Sequence, residues 1–332
     1  MHRADCLEPP LDPLTVLMPH PMPPLVVEGI EQQLRLVKLW EFDDPETELR
    51  TRAPDIRAIA TGGHMATDGA FMTRFPQLEI VSNFGVGYDH VDAAWAGRHN
   101  IVVTNTPGVL DEEVADTALA LVLNTIRQLP AAERHLRAGR WVQGNFPLSP
   151  TLRGRTLGIL GLGRIGKAIA KRAEAFGLSI VYHNRRPQPD VPYLYYPTLV
   201  GLAEACSILV VVTPGGAETR SLVDRVVLQA LGPDGILINV ARGSVVDEAA
   251  LIEALRSGAI LGAGLDVFDD EPNVPAELVG MDHVVLLPHV GSASQHTRDA
   301  MGQLVVDNLV SWSKGSGPLT PVVETPWPRA SN

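Results

Sequence analysis

TLGILGLGRIG, residues 156–166, is the stretch that decides the fold class. Thr156 to Leu160 is an apolar run of strand length, and Gly161, Gly163 and Gly166 follow it at the G-x-G-x-x-G spacing. Lys167 to Phe176 then has helical periodicity, and Gly177 supplies a stop. The first glycine allows a tight turn, the second lets backbone approach a pyrophosphate, and the third lets the helix pack closely. Phosphates then meet N–H groups at the positive end of the helix. Gly161, Leu162, Gly163, Arg164, Ile165 and Gly166 are therefore candidate dinucleotide contacts. A glycine turn before an ordinary helix would look the same in isolation, so the surrounding chain must discriminate.

Working outward, apolar strands are expected near 178–183, 208–212, 236–240, 260–265 and 284–287, with helical segments between them. That alternation implies a parallel sheet wound on both faces. Upstream, strands near 15–18, 56–61, 78–83 and 101–104, with a helix from about Leu25 to Leu36, predict a second, smaller α/β unit. A longer helix from about Glu112 to Leu129, with Val114, Ala118, Leu121 and Val122 on one face, is expected to connect the two. The helix from about Thr297 to Ser313 would return to the first unit. Residues 1–13, rich in Pro and acids, read as a loose leader.

Chemistry-bearing residues cluster after strands: Thr213 and Pro214 after ILVVV, Arg242 after ILINVA, Asp266 after LGAGL and His289 after VVLLP. Ligands of open α/β sheets bind at the carboxyl ends of strands, so this shared placement points to one site. Asn184, Arg185 and Arg186 follow the 178–183 strand, where an NAD enzyme carries an acid for the ribose hydroxyls. No acid lies between Leu178 and Pro189. Two guanidinium groups there suit a 2′-phosphate, which favours NADP over NAD; the plainer alternative is a solvated loop.

The chain has 332 residues, 45% hydrophobic and 20% charged, enough for two domains with their own cores. A net charge of -11 opposes nucleic acid or an anionic membrane as partner. Cys6 and Cys206 are far apart, with Cys206 in an apolar run, so a reducing, cytoplasmic setting is the simplest expectation. No export signal or membrane-spanning run is evident. Neither H-E-x-x-H nor cysteine ligand spacing occurs, so no metal is expected. His64, in a GGH turn, is either near a substrate entrance or merely solvent-facing.

Five motifs carry a resemblance: NFGVGYDHVD at 83–92, TNTPGVLDEEVADTALAL at 104–121, GLGRIG at 161–166, NVARGSVVDE at 239–248, and DVFDDEP with LPHVGSAS. In this order they resemble the D-isomer-specific 2-hydroxyacid dehydrogenase family, and within it the NADP-dependent glyoxylate and hydroxypyruvate reductases. The resemblance implies two doubly wound parallel-sheet domains. A Rossmann cofactor domain, residues 108–297, would be inserted into a flavodoxin-like substrate domain formed by 1–107 and 298–332. His289 resembles the family's acid and Glu271 its partner; a carboxylate beside an imidazole favours the charged ring and orients it. Arg242 would hold the carbonyl oxygen and substrate carboxylate, a task suited to its charged fork. Backbone N–H groups of Val86 and Gly87 resemble the carboxylate cradle. Asp266 would meet the nicotinamide end, and Val240, Ala241, Gly291 and Ser292 would line the cofactor. Met65 is a further substrate-pocket candidate. Trp141 either reaches a neighbouring subunit's active site or packs within its own chain, and the resemblance implies a homodimer.

The leading expectation is NADPH-dependent reduction of glyoxylate to glycolate and of hydroxypyruvate to D-glycerate. A bulkier 2-oxo acid such as phenylpyruvate or hydroxyphenylpyruvate is the alternative within the family. From another class, a nucleotide-sensing protein resembling the C-terminal-binding transcriptional corepressors stays open.

Overall fold

The computed structural model describes residues 13–63 and 65–328. The leader up to residue 12, Cys6 and His64 lie outside the described residues. The chain divides into two units, one formed by residues up to Leu110 together with those from Gln295 onward, the other by Asp111–Ser294. These divisions fall three residues from the expected ones at 107 and 298.

The first unit holds β1 (Thr15–Met18), β2 (Arg35–Lys38), β3 (Ala58–Gly62), β4 (Ile80–Phe84) and β5 (Val102–Thr104). They form an all-parallel sheet in the order β2-β1-β3-β4-β5. The chain passes from β1 to one side, then returns to the other, so the topological switch point lies between β1 and β3. One face packs Leu17, Ile59, Val81 and Val103 against Met72 and Phe75. The other packs Val16, Ala58 and Ile80 against Val26 and Ile30 of the helix Pro24–Glu31, and against Val305, Val306 and Leu309 of the helix Gln295–Ser313.

The second unit holds β6 (Thr156–Leu160), β7 (Ser179–His183), β8 (Leu194–Tyr195), β9 (Ile208–Val211), β10 (Ile236–Asn239), β11 (Gly262–Leu265) and β12 (Val284–Leu286). The order is β12-β11-β10-β9-β6-β7-β8, again all parallel, with the switch point between β6 and β9. Ile159, Val210 and Ile238 face the helices Asp111–Arg127 and Arg164–Ala175. Leu160, Leu209 and Leu237 face the helices Leu199–Glu204, Arg225–Leu231 and Glu248–Ser257. Burial on both faces explains why the central strands read as unbroken apolar runs.

Two expected helices differ. The helix expected over Leu25–Leu36 ends at Glu31, and Arg35–Lys38 instead pairs with β1. Val26, Ile30 and Leu34 are all buried, so a helical repeat persists in the sequence past the last helical turn, but Val37 packs in the sheet core. The helix expected over Glu112–Leu129 stops at Arg127. Gln128 adopts φ 50°, and Pro130, which lacks an N–H to continue the first helix, opens a second helix over Leu129–Arg137. Among the described residues, no helix is long and apolar enough to cross a membrane.

Candidate active site

Three strands of the second unit end in residues that build one another's geometry. Asp266, directly after β11, is buried, and three successive N–H groups converge on it. His289 N–H donates to its backbone carbonyl (2.9 Å), Val290 N–H to Oδ1 (2.8 Å) and Gly291 N–H to Oδ2 (2.8 Å). A Cβ on Gly291 would sit 2.8 Å from Oδ2, so the third donor must be a glycine. Burial pushes the Asp266 carboxyl up, while the Val290 and Gly291 N–H groups pull it back down. This wrap forces His289 into the left-handed region at φ 53°, a conformation that costs a non-glycine residue about 1 kcal/mol or more.

The His289 ring then meets Glu271. Nδ1 lies 2.7 Å from Oε2, and the other carboxylate oxygen, Oε1, accepts Phe268 N–H at 3.0 Å. Glu271 is nearly buried, with 11% of its side chain exposed, whereas the ring is 39% exposed. A carboxylate on Nδ1 assigns that nitrogen its hydrogen and directs proton exchange to Nε2.

Arg242 stands three residues past the end of β10. The buried Asn239 shapes this turn: its Oδ1 accepts Ala241 N–H (3.0 Å) and its Nδ2 donates to the Arg242 carbonyl (2.9 Å). The guanidinium is braced by a 2.8 Å bond from Nη1 to the Ala241 carbonyl. Gly243 follows because a Cβ there would collide with the backbone of Phe268 and Asp269.

At the switch point, Gly161 has φ 103°, and a Cβ there would lie 2.8 Å from the Thr213 nitrogen. Gly166 packs its helix onto the Gly161 carbonyl, which a Cβ would meet at 2.5 Å. Gly163, by contrast, opens onto free space and caps the helix Arg164–Ala175 with no side-chain partner. The first-turn N–H groups therefore face an open cradle suited to phosphate oxygens. Asn184 Oδ1 accepts Leu162 N–H at 2.7 Å, so this side chain fastens the loop. Arg185 and Arg186 are exposed beyond it, and Arg185 Nη1 is 3.1 Å from Glu218 Oε2.

In the first unit, Val86 and Gly87 follow β4. Asn83 Nδ2 donates to the carbonyls of Gly85 and Gly87 (both 3.1 Å), and Asn105 Nδ2 to that of Val86 (2.8 Å). The loop's carbonyls are thus turned inward. Among the described residues, the Val86 and Gly87 N–H groups meet no acceptor within the fold. Near the β1/β3 switch point lies a cavity of about 720 Å³. Its walls include His20, Met22, Met65, Phe84 and Arg298.

Trp141 lies on a short 3₁₀ turn, Arg140–Val142, and is 64% exposed. Burial pushes the Cys206 thiol up to about 12, which leaves it protonated and unreactive. Among the described residues, no cluster of His, Cys, Asp or Glu is arranged to hold a metal ion.

The model of the D-isomer specific 2-hydroxyacid dehydrogenase NAD-binding domain matches residues 119–291. The chain belongs to that family. This dehydrogenase is 47% identical over 313 residues to glyoxylate/hydroxypyruvate reductase A of Arabidopsis thaliana, covering 94% of this chain and 100% of the relative. It is 42% identical to hydroxyphenylpyruvate reductase of Plectranthus scutellarioides, with the same coverages. Among solved structures it resembles the NADPH-dependent glyoxylate/hydroxypyruvate reductase of Sinorhizobium meliloti in complex with NADP and malonate. That match has a TM-score of 0.88 and 53% identity, covering 96% of this chain and 99% of the other.

A nicotinamide dinucleotide fits the dehydrogenase's own residues. The open face at Gly163 and the uncapped helix start offer a pyrophosphate cradle, and the segment that follows β7 offers the guanidinium groups of Arg185 and Arg186 with no acid of its own before Pro189. Sequence reading overlooked Asn83, Asn105 and Asn239. Their signal was present: each is the first or second residue of one of the recognised motifs, and an amide at a strand end commonly shapes the following turn. Asp266 was expected at the nicotinamide end; in the structure its carboxylate holds the His289 loop.

Asp266→Asn places an amide NH2 against one of two N–H donors. The variant is expected to lose about 1–3 kcal/mol of stability by urea unfolding and to lose activity through the displaced His289. Unchanged stability together with normal turnover would contradict this role.

Proposed function

We propose that this dehydrogenase reduces glyoxylate to glycolate and hydroxypyruvate to D-glycerate, with NADPH preferred over NADH. The observation that carries the reading is the Glu271-oriented His289 in the same unit as an open glycine cradle followed by Arg185 and Arg186. The likeness to two glyoxylate/hydroxypyruvate reductases, one of them NADPH-dependent, supports it. The nucleotide-sensing alternative is opposed by the same full-length likeness to reductases.

When bound, the cofactor supplies a hydride to the carbonyl carbon of the 2-oxo acid. Negative charge then grows on the carbonyl oxygen, where a proton donor and a fixed cation are needed. His289 Nε2 gives the proton, and Glu271 stabilises the ring before the transfer. Arg242 holds the oxygen and the substrate carboxylate, and in the first unit the Val86 and Gly87 N–H groups are the candidate carboxylate cradle. Asn184, Arg185 and Arg186 face the adenosine ribose, and the two arginines take the 2′-phosphate. Thr213, Pro214, Val240, Ala241, Gly291 and Ser292 flank the cofactor.

The working form is a homodimer. Leu136, Trp141, Val142 and Leu148 are 56%, 64%, 93% and 101% exposed, a concentration of large apolar side chains that a second copy would cover. Trp141 serves there as an anchor.

The cavity walled by Met22, Met65 and Phe84 favours a second reading, a bulkier 2-oxo acid. Glyoxylate has no side chain to place in such a space, whereas an aryl group has room there. The hydroxyphenylpyruvate reductase relative is consistent with that choice.

Loss of NADPH absorbance should be followed with glyoxylate, hydroxypyruvate, pyruvate and phenylpyruvate, and repeated with NADH. Faster turnover of the two small substrates with NADPH is expected; silence with all four would end the enzymatic reading. If phenylpyruvate leads, Met65→Trp should lower its kcat/KM relative to glyoxylate by about tenfold, and an unmoved ratio would remove Met65 from the pocket. His289→Ala should slow reduction by about a hundredfold or more at neutral pH while NADPH still binds. A near-normal rate would take the acid role from His289. Replacing both Arg185 and Arg186 with Ala should weaken NADPH more than NADH, by about 2–4 kcal/mol. Equal weakening of both would defeat the 2′-phosphate assignment.

A further inference from the structure

Arg185 and Glu218 come from different strand ends. Arg185 follows β7, and Glu218 sits on the short 3₁₀ turn Ala217–Thr219 beyond β9. In the sheet, β6 lies between β7 and β9, so the 3.1 Å contact reaches across the end of the strand that feeds the glycine loop. The Glu218 turn is itself well formed. Thr219 Oγ1 donates to the Pro214 carbonyl (2.8 Å) and Thr219 N–H to the Gly216 carbonyl (3.1 Å). Glu218 is therefore presented by an ordered turn and takes the guanidinium expected to hold a 2′-phosphate.

We propose that Glu218 is a cofactor-specificity residue: an internal anion that holds the Arg185 guanidinium until the 2′-phosphate of NADP(H) displaces it. This rests on the 2′-phosphate reading given above. Two physical points argue for displacement over permanent pairing. First, the side chains are 91% and 82% exposed, and exposed ion pairs are weak enough to be exchanged for a better acceptor. A phosphate monoester carries more charge than a carboxylate and offers three oxygens to the planar fork. Second, a carboxylate left beside a bound 2′-phosphate repels it, whereas the ribose hydroxyl of NAD(H) is neutral and meets no such penalty. Glu218 therefore lowers affinity for NADP(H) selectively and narrows the margin between the two cofactors. It is a restraint built opposite the two arginines.

Glu218→Gln removes the charge and keeps the shape. Equilibrium titration of the intact protein with NADPH and with NADH, read by cofactor fluorescence, should show NADPH binding about three- to fivefold tighter and NADH within about twofold of wild type. The gain should shrink at high salt, as expected for exposed charges. Glu218→Lys, which reverses the charge, should tighten NADPH further. Unchanged or weaker NADPH binding in Glu218→Gln, or equal tightening of both cofactors, would overturn the proposal. Titrating the Arg185→Ala, Arg186→Ala double variant alongside separates the two levels. If the preference for NADPH survives in it, the 2′-phosphate reading itself fails. If the preference collapses there while Glu218→Gln changes nothing, only the role of Glu218 fails.

Discussion

The arrangement of the second unit's chemistry depends on one buried carboxylate. Asp266 gathers the N–H groups of three consecutive residues, and the backbone that results holds His289 in a left-handed conformation that an unsupported histidine rarely adopts. The strain at one residue is offset by three bonds, two of them to a charged acceptor in a buried setting. The direction of the imidazole, and through it the contact with Glu271, follows from the loop this acid enforces. Asp266 is itself fixed by the sheet, since its N–H extends the ladder to the Asn239 carbonyl.

The same device recurs with neutral side chains. Asn239 bonds both sides of the turn that carries Arg242, and Asn83 and Asn105 draw in the carbonyls around Val86 and Gly87. In each case a short polar side chain at a strand end takes up local backbone groups and leaves the neighbouring functional group oriented. Asn184 does this for the glycine loop through Leu162. Parallel strands end abruptly at one edge, and these side chains convert that edge into shaped turns.

Much of this was legible in the sequence. β1, β6 and the central strands are apolar enough to be read directly, because both faces are buried and no polar alternation masks them. The glycine spacing marked the turn between β6 and the helix Arg164–Ala175, and Arg242, Glu271 and His289 were singled out as candidates at the ends of apolar runs; the structure brings the last two together. What escaped had physical causes. β2 is an edge strand of mixed polarity, with Arg35 exposed and Val37 buried, and it follows a helix whose apolar repeat runs into Leu34. β8 is two residues long and pairs with β7 at the edge of the sheet. That Asp266 holds the His289 loop could not be read in advance, because a strand-end acid looks the same whether or not its oxygens take up a neighbouring loop. Only the distances to Val290 and Gly291 distinguish the two cases.

The way the first unit is divided along the chain has a consequence for biosynthesis. Its sheet is contributed by residues before Leu110, yet one face is closed by Val305, Val306 and Leu309, which the ribosome adds only after the entire second unit. The second unit is continuous and can complete its core as soon as Ser294 has emerged. Until the residues beyond Ser294 follow, the face of β1, β3 and β4 that contains Val16, Ala58 and Ile80 has Val26 and Ile30 against it but lacks Val305, Val306 and Leu309. A nascent chain halted between the two stages exposes a surface of the kind chaperones recognise, so order of synthesis favours maturation of the cofactor unit before the unit that completes the enzyme.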